Sequence, residues 1–305
     1  PELIEFKRQD DWQTVIEIHY IDDVEDKIQE IFDQISEELL LFLNNIEQIE
    51  LVVDKDITTF KSTKTPKIDW TEVRINDKVW RVFSKDGLIP QKTKNGDESI
   101  NKKYSLKVAF QNDLSDKYYK LFNFFPTKIS VSLPCIIHGT FDLNASRDYI
   151  NPSDSNAIIF KDLAVFLGLC AVLMSKEDVS WKPYQLINPL NESSDSSLVQ
   201  ALYKDLKIIR EKERIIPTVN NDYIDYYQAK YYDKEFNTFF KDNFPDVLPE
   251  LILPIENTQI FFFISKHYDN LTLVYRLDLL SNTEITIEQR AELIYQTETF
   301  DKNIE

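Results

Sequence analysis

The sequence predicts an α+β fold: a mostly antiparallel sheet packed against long helices, followed by a second α/β region. Three observations carry this expectation. Apolar residues recur every three or four positions from Val24 to Ile46 and again from Ile158 to Leu173, which is the period of one helix face. Between them, from Gln48 to Phe110, the period falls to two in five successive runs, and strands that follow one another without helices pair antiparallel. The apolar share of 43%, spread over 305 residues, is enough for a sizeable core and excludes a disordered chain.

The elements follow in order. Thr14 to Tyr20 alternates Val15, Ile16 and Ile18 with polar residues and reads as extended. Asp22 or Asp23 then caps a long helix, with Glu25 and Asp26 at its positive end. Its stripe is Val24, Ile28, Ile31, Ile35, Leu39, Phe42 and Ile46, and the Leu-rich end near Leu39 is expected to be buried on several sides. IELVVD, ITTFKS, DWTEVRI, KVWRVFS and YSLKVAF are the strands, and Gly87 to Lys103, with Pro90 and Gly96, reads as an exposed loop. KISVSLPCIIHGTFDLNASRDYIN reads as strand, turn, strand and a functional loop. Asp154 or Ser155 opens a second long helix, roughly 156–175. Polar Asn191 to Ser197 is the linker candidate. A helix from about Ser197 to Lys212 and an apolar strand at Ile260 follow it.

Composition excludes several function classes. With 35 Lys and Arg against 52 Asp and Glu, the net charge of −17 repels phosphate backbones and anionic membrane surfaces. Cys135 and Cys170 stand far apart in apolar surroundings and read as reduced thiols, as in a cytoplasmic protein. The run Ile158 to Met174 is interrupted by Lys161 and Asp162 and reads as too short to cross a bilayer. His19, His138 and His267 have no partner at ligand spacing, so no metal site is expected. Four glycines leave no Gly-rich phosphate loop. Tyr223, Tyr226, Tyr227, Tyr231 and Tyr232 read as residues packed on a core rather than as a platform for bases. The residues by themselves support no enzyme class. The chain starts at Pro1 without an initiator Met and reads as part of a longer protein.

The segment FDLNASRDYIN, Phe141 to Asn151, resembles the LNxSRExxQ-type loop in the middle domain of the ninety-kilodalton heat-shock chaperones. FFPTKISVSLPCIIHGTFDLNASRD is similar to the sacsin-type order of FxPT, LP and an ASR element, and LLLFLNNIEQIEL resembles another sacsin-type stretch. WQTVIEIHY resembles the strand that closes a GHKL ATPase fold. Together these cover roughly residues 12–155. The resemblance implies that residues 1–21 end a GHKL ATP-binding fold, that 22–190 form a middle, transducer-type domain, and that 197–305 form a C-terminal α/β region.

It further implies that Arg147 reaches the nucleotide of the preceding domain as a catalytic group. Asn144 and Asn151 would support it in binding, and Asp148 would orient the loop. ATP and Mg would be bound mainly by that preceding domain, because the acid, asparagine and Gly-rich motifs of the GHKL site are absent from this sequence. The implied role is coupling of ATP state to a chaperone-like or defence-related conformational cycle. A homodimer or a protein partner stays open beside the neighbouring GHKL domain. So does the alternative of a non-catalytic acidic interaction scaffold, a regulatory module of a bacterial defence system.

Overall fold

In the computed structural model the described residues are 35–53, 56–92, 99–114, 119–231, 234–243, 245, 246, 248–256, 260, 286–288, 290, 291 and 295. The expected strand at Thr14 to Tyr20 and the first helix up to residue 34 lie outside them. The described residues form an α+β fold built on one large, mostly antiparallel sheet. Its strands are β1 Gln48–Val53, β2 Asp56–Pro66, β3 Thr71–Ile75, β4 Lys78–Lys92, β5 Ser99–Gln111, β6 Tyr119–Asn123, β7 Phe125–Val131 and β8 Ile136–Gly139. The spatial order is β1-β2-β3-β4-β5-β8-β6-β7, and the β6–β8 pair alone is parallel. β3 and β4 are joined by Asn76 and Asp77, with Asn76 at φ 49°, the left-handed conformation a two-residue hairpin needs.

Both faces of the sheet's middle strands are covered, while most of β1 and β2 is exposed. Along β4, Val82 belongs to one buried cluster and Phe83 to the other; along β5, Ala109 and Val108 divide the same way. A period of two on a doubly covered sheet produces this split. The larger cluster faces α1, Asp154–Met174; α2, Lys182–Leu186; and α3, Ser197–Lys212. The smaller lies under Leu39 to Phe42, which pack on Val73, Ile75, Trp80, Phe122 and Ile136. Two short strands, β9 Ile216–Pro217 and β10 Tyr223–Ile224, and the helix α4, Lys234–Asn243, complete the described elements.

Several expectations change. The stripe through Ile46 does not continue as helix: a 3-10 turn spans Glu37–Leu41, and Ile46 is exposed. Leu39, Leu40, Leu41 and Phe42 are consecutive and all buried, which a chain achieves by wrapping tightly into the core rather than by showing it one helix face. The expected loop from Gly87 to Lys103 is mostly ladder, with Gly87 opposite Tyr104 and Pro90 opposite Asn101. Its anchor is Ile89, 2% exposed, whose apolar burial outweighs the Pro and Gly signals. Tyr104 closes over Gly87, where a Cβ would collide with the phenol ring. It then donates its hydroxyl to Asp162 of α1 at 2.7 Å, and Lys85 binds the same carboxylate.

α1 matches the expected second helix, with Ser153 as its cap. At 21 residues and mean hydropathy 2.2 over an 18-residue window, it is long and apolar enough to span a membrane, contrary to the length read from the sequence. It is instead a core helix: 56% of that window is buried, between the sheet and α3. Gly168 lets α3 approach, since a Cβ there would lie 2.8 Å from Ile209 Cγ2. The residues before and after Asn191 to Ser197 contribute to the same buried cluster. Of the tyrosines, Tyr223, Tyr226 and Tyr231 are buried, while Tyr227 is exposed. Ile260, expected in a strand, is buried and helical, and the rest of its apolar run lies outside the described residues.

Candidate functional site

β8 is buried at all four positions and lies inside the sheet, between β5 and β6. The chain leaves it at Gly139 and reaches α1 through a loop, Phe141 to Ser153. This loop is held at both ends and in the middle. At its start, Thr140 N–H donates to the Ser105 carbonyl at 3.1 Å and Thr140 Oγ1 accepts from Ser105 N–H at 2.9 Å. The Phe141 ring packs on Phe160 of α1 at 5.3 Å. Further on, Leu143 and Ile150 form an antiparallel bridge.

Four asparagines form most of the scaffold. Asn123 donates to the Phe141 carbonyl at 3.0 Å. Asn144 Oδ1 accepts the N–H groups of Asp148 at 3.1 Å and Tyr149 at 3.2 Å. Asn151 Nδ2 donates to the Leu143 carbonyl at 2.9 Å. Asn156, fully buried in the first turn of α1, accepts from Asp142 N–H at 2.9 Å and donates to the carbonyls of Asp142 at 2.8 Å and Asn151 at 2.7 Å. The implied nucleotide ligands Asn144 and Asn151 therefore commit these amide atoms to the loop itself.

The tip between the clamps is Ala145, Ser146 and Arg147, all exposed. Arg147 N–H donates to the Asn144 carbonyl at 3.0 Å, and its backbone is left-handed at φ 61°. That conformation costs an L-residue about 1–2 kcal/mol and is held by the bonds around it. The Arg147 guanidinium makes no hydrogen bond or ion pair among the described residues. The nearby acids have other partners: Asp142 pairs with Lys102, and Asp148 with Lys128 at 2.9 Å. The Asp148 bond raises the Lys128 ammonium above its usual range. Lys128 also lies 5.7 Å from the Tyr149 ring centre, and its N–H holds the Asp148 carbonyl at 2.8 Å.

No family model, curated protein or solved structure matches this chain. Chemically, the loop offers one cationic fork of donors, exposed and unneutralised, in a chain of net charge −17. Such a fork suits a phosphoryl group held by another body. Among the described residues the tip presents an exposed donor fork, with nothing that encloses a ligand beside it.

Sequence reading placed Arg147, Asn144, Asn151 and Asp148 in one loop and missed the residues that fix it. Lys128, Asn123 and Lys102 come from strands distant in sequence, and no local signal marks them. Asn156 had one: an asparagine in the first turn of an apolar helix, where its side chain competes with the backbone unless it has a dedicated partner. His138, from β8, lies outside this site, buried between Phe42 and Phe124 with ring centres at 5.0 Å each and no partner on either nitrogen. Burial, then the Lys107 charge, lower its pKa to about 4. His19 and His267 lie outside the described residues, among which no group of His, Cys, Asp and Glu could hold a metal. Cys135 and Cys170 are free, with burial raising both thiols.

Proposed function

We propose that this chain is the middle, transducer-type part of a cytoplasmic GHKL ATPase of the heat-shock-chaperone and sacsin kind, and that Arg147 serves the nucleotide of the preceding domain. The observation that supports this most is the free guanidinium on a left-handed, multiply clamped loop tip. A residue held at an energetic cost, with its charge unpaired, is kept for a partner outside the described fold. MgATP in the neighbouring domain would supply the transferable phosphoryl group. Arg147 would add a fixed, permanently charged donor pair that favours the charge developing there. Because it arrives on a second body, its engagement would tie the arrangement of the two bodies to nucleotide state.

The test is Arg147→Ala in the full-length protein carrying its ATPase domain. The ATP turnover number should fall by about tenfold or more, as when one charge-stabilising donor is lost, with ATP affinity much less affected. Arg147→Lys should recover only part, because it restores the charge without the planar fork. A turnover number equal to that of the unaltered protein would refute the assignment and leave the interaction-scaffold reading in its place.

A further inference from the structure

From Phe141 to Ser153 the loop carries two carboxylates, Asp142 before the Arg147 tip and Asp148 directly after it. Either is a natural partner for the guanidinium, because a carboxylate meets the planar fork of arginine with two parallel hydrogen bonds. Neither is bonded to it. The Asp142 carboxylate is bound by Lys102 Nζ, and its other oxygen accepts from Ser153 Oγ at 3.4 Å. The Asp148 carboxylate is bound by Lys128 Nζ at 2.9 Å.

The two lysines reach the loop from opposite sides. Lys102 lies on β5 and Lys128 on β7, with β8 and β6 between those strands. Lys128 holds Asp148 at more than one point. Its N–H donates to the Asp148 carbonyl at 2.8 Å, while Asn144 Oδ1 accepts the Asp148 N–H at 3.1 Å. The N–H, the carbonyl and the carboxylate of Asp148 are thus all committed. The Lys128 ammonium also lies 5.7 Å from the Tyr149 ring centre, a second attraction that keeps it in this place. Magnitude decides what these pairs are for. Their side chains stay between 32% and 59% exposed, and ion pairs so exposed add little to stability. Their larger effect is on charge: with both carboxylates occupied, arginine is the cation left over on the loop.

We propose that Lys102 and Lys128 are positioning residues for Arg147, each occupying one loop carboxylate that would otherwise pair with the guanidinium and neutralise the tip. The effect on ATP turnover rests on the ATPase reading, whereas the pairing of the tip does not.

The experiment takes two readouts from the full-length protein carrying its ATPase domain. One is the rate at which phenylglyoxal, an arginine-selective reagent, modifies Arg147 without nucleotide, followed by mass spectrometry. The other is the ATP turnover number. Lys128→Gln frees Asp148 for the guanidinium and should slow each by about two- to fivefold, the reach of an exposed ion pair. Adding Asp148→Asn, which keeps the shape of the side chain and removes its charge, should restore both. Lys102→Gln and then Asp142→Asn should repeat the pattern, which keeps the test decisive if circular dichroism shows one of the first variants misfolded. Modification at an unchanged rate in both Lys→Gln variants overturns the inference. So does a double variant as slow as its single parent, because the lysine would then only brace the loop. Modification that slows and recovers while turnover stays constant supports the positioning role and refutes the ATPase reading instead.

Discussion

At the residue scale, Arg147 and His138 are each held against an intrinsic preference, and each gives a measurable consequence. Glycine takes the left-handed conformation without penalty, whereas alanine retains the penalty. Arg147→Gly should therefore be more stable than Arg147→Ala by about 1 kcal/mol in denaturant unfolding, although both lose the guanidinium. Equal stabilities would mean that the tip is not strained. His138 has a folded pKa of about 4 against an ordinary 6.5. The unfolded chain thus binds the extra proton first. Stability should be highest above about pH 6.5 and fall as pH drops toward 4, on the order of 2–3 kcal/mol in all. His138→Phe, with no ring nitrogen left unpartnered, should remove that dependence between pH 7 and 4. Arg147 was singled out in the sequence by the resemblance of its motif, whereas its exposed, left-handed position was not legible there. His138 was read as structural, but its pairing with Phe42 and Phe124 was not legible, because those rings arrive from separate parts of the chain.

At the element scale, the loop and the long β4–β5 hairpin depend on single side chains. Asn156→Ala would leave the main-chain groups of Asp142 and the Asn151 carbonyl without their partner. It should cost about 2–4 kcal/mol and speed hydrogen exchange at Asp142 and Asn151 more than at Val108 in β5. Uniform acceleration would show that Asn156 supports the whole core rather than the loop. Tyr104→Phe removes the hydroxyl bond to Asp162 and should cost about 1 kcal/mol. Gly87→Val should cost about 1–3 kcal/mol, because its side chain collides with the ring that makes the bond; a double mutant would show non-additive losses. The core of each of the first five strands was legible from alternation. The outer half of the β4–β5 hairpin was not, since Gly87 and Pro90 are turn signals and the cross-strand partner that fills the glycine gap is seventeen residues away. β6 was missed for a related reason. Its link to β7 is a sharp turn at Phe124, φ 63°, a residue that gives no turn signal.

At the whole-molecule scale, one sheet carries a core on each face, and the larger core includes residues from Phe83 to Ile260. Elements on either side of Asn191 to Ser197 should therefore melt together. Thermal unfolding followed at Trp80, under the smaller core, and at Trp181, beside the larger, should give one midpoint, and separated midpoints would show two independent units. The spatial order of the strands has a different consequence. β8 enters between β5 and β6 although β6 and β7 precede it in the chain. The long β4–β5 hairpin can zip from neighbouring residues, whereas β8 must close distant pairings with two strands at once, and such non-local steps come late in folding. Since the arginine loop hangs from the end of β8 and is clasped by Asn123, Lys128 and Asn156, its tip takes shape only after that insertion. A nascent or partly collapsed chain would carry the same arginine without the clamps that shape its loop, so the order of assembly sets when the exposed, left-handed tip first exists.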